Sequence, residues 1–295
     1  MISKYSNISI VASFFGLWIA SFFSNKFQII LGFTFIFTFG ILHGANDLLL
    51  IEKNNNPKKV YNFIKSLTNY VLIIALCTLL FYFIPCFTLI LFILVSAFHF
   101  GEQQWKELIN NYPKWISYSI SFTYGLFIFM LLFIFHASEV EKITFEISKF
   151  QISNTLITLL FNIIGLLFLI TVSYSCFKFE NLRAKILTEL FYLLIFTLIF
   201  KASSLIWGFA IYFILWHSIP SIIEQMNFLY GKFSIQNFIS YCKSALIYWA
   251  LSIIGIVSLY FMFKDQQLFN AIFFSFLAAI TFPHVIVITK IFNKK

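Results

Sequence analysis

Apolar segments of about 20 residues, long enough for a helix to cross the hydrocarbon core of a bilayer, follow one another along almost the whole chain. We place them at residues 8–24, 27–50, 67–84, 86–105, 115–135, 154–177, 187–201, 202–219, 239–263 and 268–289. A soluble domain is nearer half apolar and a quarter charged, whereas here 61% of 295 residues are hydrophobic, 11% are charged and the mean hydropathy is +0.92. The expected fold is therefore an all-α, polytopic integral membrane bundle of about 8–10 helices. No soluble domain, linker or internal repeat interrupts it, so residues 1–295 are expected to form a single transmembrane domain. The divider Lys201-Ala202-Ser203-Ser204 is short, which leaves nine spans, or eight with a re-entrant piece, open.

The net charge of +9 does not point to nucleic acid, because the lysines are scattered through short loops rather than gathered on one face. They read instead as topology determinants. With alternating sides, one side collects Lys4, Lys53, Lys58, Lys59, Lys65, Lys106, Lys114, Lys178, Arg183, Lys185, Lys232, Lys290, Lys294 and Lys295. The other holds Lys26, Lys142, Lys149, Lys201 and Lys264, and Lys243 lies inside a span. Both termini are thus expected in the cytoplasm, in a cell (inner) membrane protein whose N-terminal span is retained. Glu139, Glu141 and Glu146 fall on the outer side, and Trp105, Tyr112, Trp115 and Tyr118 flank one loop as an interfacial belt. Cys77, Cys86, Cys176 and Cys242 form no CxxC pair and are expected to be inert buried thiols.

Polar groups inside such segments are costly and mark sites. The first is Ile41-Leu42-His43-Gly44-Ala45-Asn46-Asp47, where His43 and Asp47 share a face if the segment is helical. His99, followed by Glu102 and Gln103, His217 and His284 repeat the interruption. All four histidines fall on outward-to-inward spans, each roughly 20 to 25 Å below its outer end at the helical rise per residue. His136 sits apart, at the outer end of the fifth span. Imidazoles at one depth on four spans suggest a shared metal site for a divalent transition metal such as iron. Metal-bound His usually donates its second ring nitrogen to a carboxylate or carbonyl. Asp47, Glu102 and Glu189 are the carboxylates available for that supporting role, although solvated helix ends or loop ion pairs would also explain them.

No GxSxG, HExxH, Walker loop or GxGxxG occurs. The HxxxH and HxxHH clusters of di-iron membrane desaturases are missing, and no lysine sits deep in a late helix as a retinal-binding pump requires.

Four stretches, in order, are His43-Gly44-Ala45-Asn46-Asp47, Phe98-His99-Phe100-Gly101-Glu102, the approach from Glu189 to Trp216-His217-Ser218, and Pro283-His284. In these the chain resembles the Brp/Blh family of membrane β-carotene 15,15'-dioxygenases. The resemblance implies an Fe(2+) centre with His43, His99 and His217 as ligands and β-carotene and dioxygen as substrates. It also implies cleavage of the central double bond to two retinals, which supply a rhodopsin in many bacteria. The family usually carries a further His four residues after His217, where this chain has Ser221 preceded by Pro220, a residue that distorts a helical turn. His284 is the candidate to complete the set, or three histidines suffice. A carotenoid dissolves in the bilayer and would enter laterally, and some of the 43 Phe and 14 Tyr could line its path. The alternative is a polytopic transporter or a carotenoid- or retinoid-binding membrane protein, with no oxidative activity, whose histidines only bond between helices.

Overall fold

The computed structural model describes residues 2–54, 60–109, 112–262 and 266–292. Among the described residues there is no strand. The helices are α1 (Ile2–Ala20), α2 (Asn25–Phe35), α3 (Asp47–Asn54), α4 (Val60–Phe83), α5 (Pro85–Ile109), α6 (Lys114–Phe135), α7 (Ala137–Ser148), α8 (Asn154–Lys178), α9 (Glu180–Ala202), α10 (Leu205–Tyr212), α11 (Ile219–Tyr230), α12 (Ile235–Met262) and α13 (Gln266–Phe292). Two π-helical pieces, Ile36–Gly40 and Phe213–Ser218, precede α3 and α11. The fold is the all-α polytopic membrane class that the apolar segments predict.

Seven stretches among the described residues are long and apolar enough to cross a membrane: Ile64–Phe83, Pro85–Leu108, Lys114–Phe135, Asn154–Lys178, Leu205–Tyr230, Ile235–Ser258 and Ile272–Phe292. A shorter apolar helix covers Tyr5–Ala20. Side chains of α8 and α12 such as Leu159, Leu166, Ile170, Leu251 and Ile254 stand exposed along these stretches, which suits lipid and not water.

Helix boundaries follow local chemistry. Pro85 opens α5, where its missing N–H has no helical acceptor to lose. Ser153 caps α8 by accepting from the Leu156 amide at 3.2 Å, and Gly231 ends α11 in the left-handed conformation at φ 82°.

Three expectations change. The segment 27–50 is not one helix: it runs through α2 and a π-helical piece, then turns at residues 43–46 before α3. The span expected at 202–219 continues through the π-helical turn to Tyr230. Trp105 does not belong to an interfacial belt, since it is fully buried against Tyr124 at 5.5 Å, whereas Trp115 and Tyr118 are exposed. The cysteines are free thiols, of which Cys77 is buried and the other three half-buried. Lys58, Lys59, Lys264, Lys294 and Lys295 lie outside the described residues.

The chain divides into two compact units. The first comprises Met1–Phe35, Ile93–Lys142 and Gln151–His217. In it α6 packs on α8 and α9, and α2 on α10. Gly101 of α5 and Gly125 of α6 allow backbone-to-backbone approach: a Cβ on either would collide with the carbonyl of Ser121 or Ala97 respectively. The second unit comprises Ile36–Phe92, Ile143–Phe150 and Ser218–Lys295. There α13 packs on α3, α4 and α12, over a core of Leu50, Ile222, Met226, Tyr241, Val287 and Ile291.

Candidate metal centre

In the second unit the chain cannot continue as a helix through residues 43–46, and within lipid its backbone groups need partners from the protein. Short turn bonds supply part of them, with the Gly44 amide on the Ile41 carbonyl at 3.1 Å and the Asp47 amide on the Gly44 carbonyl at 3.2 Å. Side chains supply the rest. Gln225 of α11 donates to the His43 carbonyl at 2.8 Å, and Asn46 donates to the Tyr241 carbonyl at 3.0 Å while accepting from Ser244 at 2.9 Å. Tyr241 in turn donates to the Gln225 side-chain oxygen at 2.8 Å. Trp249 caps the carbonyls of Phe37 and Thr38 in the preceding π-helical piece.

This scaffold brings His43 and His284 together, with ring centroids 4.6 Å apart and planes nearly perpendicular. Both rings are buried. His43 Nδ1 lies against the Gly40 carbonyl. His284 Nδ1 lies 2.9 and 3.1 Å from the two oxygens of Asp47, which is itself 1% exposed. Tyr70 of α4 donates to the second of those oxygens at 3.1 Å. With acceptors facing both Nδ1 atoms, each ring carries its proton there and keeps its lone pair on Nε2. His43 and Asp47 thus do not pair along one helix face as their spacing suggests; the turn between them lets Asp47 hold His284 instead.

In the first unit His99 of α5 and His217 lie with ring centroids 4.9 Å apart, both buried. His217 sits in the π-helical turn Phe213–Ser218, with the rings of Phe100 and Phe213 beside it at 4.4 and 5.5 Å. Pro220 has no N–H for the Trp216 carbonyl, one reason for the wide turn. The His217 carbonyl accepts from Gln103 at 3.1 Å, and the neighbouring Gln104 donates to Glu189 at 2.9 Å. Glu102 is half-buried on the same helix. His136 stands apart, donating to the Phe200 carbonyl at 2.8 Å.

Each unit thus offers buried imidazole nitrogens of the kind that hold a metal ion, His43 and His284 in the second and His99 and His217 in the first. Ser221 adds no nitrogen to the second unit's pair; its hydroxyl accepts from Gln225 at 3.1 Å.

The family model for beta-carotene 15,15'-dioxygenase matches residues 34–292. The chain belongs to that family. No curated protein and no solved structure matches it. The matched stretch contains all four membrane histidines and the three carboxylates named above. What this family member has around its imidazoles suits a divalent transition metal: neutral nitrogen donors, Nδ1 protons anchored by a carboxylate and a carbonyl, and apolar surroundings. Tyr70, Gln225 and Tyr241 did not stand out in the sequence. Gln225 carried a usable signal, as an uncharged polar residue in an apolar helix eight residues beyond His217; Tyr70 was one tyrosine among 14.

Proposed function

We propose that this protein is a membrane-embedded non-haem iron dioxygenase that cleaves the central 15,15' double bond of β-carotene. One dioxygen is consumed, the carbon–carbon double bond breaks, and each former bond carbon leaves as the aldehyde of a retinal. The observation that carries this reading is membership of the β-carotene dioxygenase family over residues 34–292, with buried histidines at the motif positions. Fe(2+) would be held by His43, His99, His217 and His284, in one transmembrane domain over residues 1–295. Bound there, iron would supply the activation of dioxygen. The chain's own residues have simpler tasks. Asp47 keeps a proton on Nδ1 of His284, and Gly40 does so for His43. Gln103, through the His217 carbonyl, fixes the turn that carries that ring. Glu102 and Glu189 are assigned supporting roles around the His99–His217 pair. Phe100 and Phe213 keep water from it.

The lysine distribution supports a cell-membrane protein with both termini in the cytoplasm, and retinal as product links it to a rhodopsin that consumes it. The interrupted helices at residues 43–46 and 213–218 also suit a carotenoid transporter or binding protein. Expression in cells that accumulate β-carotene separates the two. The dioxygenase bleaches the pigment and yields retinal in proportion, whereas folded protein that leaves the pigment intact is a carrier.

A further inference from the structure

The second unit contains a cavity of about 420 Å³ between α3, α4 and α13. Its walls are apolar, with Ile73 and Leu76 from α4 and Ile286 and Val287 from α13. Of its polar groups, Asn54, Ser66 and Lys290 lie towards one end, where α4 begins and α13 finishes, and Asn69 and Tyr70 follow along α4. Leu72, Leu76 and Ile286 are each more than half exposed, so the cavity opens sideways, on the surface that faces lipid. From Ser66 to Leu76 the wall formed by α4 rises about 15 Å. That length is comparable to one half of an extended β-carotene measured from its central bond.

Two lining residues tie this groove to the histidines. Tyr70 forms part of its inner wall and at the same time donates to Asp47, the acceptor of His284. Pro283 lines it immediately before His284 in the chain. An apolar chain lying in the groove therefore passes one side chain away from the Asp47–His284 pair.

We propose that this groove between α3, α4 and α13 seats one end half of the polyene substrate, taken in sideways from the bilayer. The proposal rests on the dioxygenase reading, because it needs the reacting bond to lie beside His284. An ordinary phospholipid would use the same walls for an acyl chain, so the occupant is what must be tested.

The test uses full-length protein in phosphatidylcholine nanodiscs loaded with β-carotene under nitrogen, where pigment is bound but not consumed. Bound pigment is measured for Ile73→Trp and Leu76→Trp, which narrow the groove, and for Leu159→Trp on the exposed face of α8 as a control. Leu76→Phe serves as a milder variant if either Trp variant is unstable. Retention is expected to fall about tenfold or more in the groove variants, the size of effect that shape changes of this kind have in apolar pockets. The control is expected to bind like wild type. In air, the same groove variants should raise KM with kcat little changed. Equal retention in groove and control variants overturns the proposal. So does quenching of Trp at position 76 by brominated acyl chains that added β-carotene fails to relieve, which identifies lipid as the occupant. Retinal formation with an unchanged KM in the groove variants overturns the groove alone. Selective loss of bound pigment from a protein that makes no retinal supports the groove and removes the dioxygenase.

Discussion

Asp47 is buried with His284 Nδ1 near both of its oxygens and Tyr70 donating to the second, so this three-membered network decides which nitrogen of His284 would face a metal. Asp47→Asn presents an amide that can donate where the carboxylate only accepted, and iron affinity is expected to fall about 10–100-fold, the usual effect of losing such a partner. Tyr70→Phe keeps the ring and removes one hydrogen bond, and should fall at the low end of that range. Iron retention against a chelator measures both; affinity equal to wild type in Asp47→Asn would contradict the role given to it. Gln225 serves the backbone rather than the metal. Gln225→Leu strips the His43 carbonyl, Ser221 and Tyr241 of a shared partner and is expected to cost about 1–3 kcal/mol of stability. A melting temperature in detergent unchanged from wild type would refute that.

At the level of elements, α5 and α6 meet where Gly101 and Gly125 let two backbones touch, and that contact holds the segment bearing His99. Gly101→Ala or Gly125→Ala forces the helices apart, with an expected loss of about 1–3 kcal/mol and a lower melting temperature. Stability equal to wild type would mean that the helices do not cross so closely. The sequence made the long regular helices legible because an unbroken apolar run admits little else in lipid. It was less informative where function interrupts the pattern. Residues 27–50 read as one span because Ile, Leu and Phe surround the motif on both sides, yet the turn at residues 43–46 depends on Gln225, Asn46 and Tyr241, whose pairing is long-range. The extension of the late span to Tyr230 was hidden for a related reason: Pro220 looks like a stop but sits at the start of α11, just after a π-helical turn that accommodates it.

Across the whole molecule, four imidazoles and three carboxylates, Asp47, Glu102 and Glu189, stand out in the sequence as site candidates because ionisable residues are few inside the apolar segments. The partition of those histidines, His43 with His284 and His99 with His217, was not visible, since each pair joins positions more than 100 residues apart in sequence. The proposed dioxygenase reaction would use both pairs. If they share a single ion, neither pair can retain it alone. The decisive measurement is iron bound per chain in purified wild type, His43→Ala and His217→Ala. One iron in wild type and its loss from both variants is the expected result; iron kept at full occupancy by either variant would contradict a shared site.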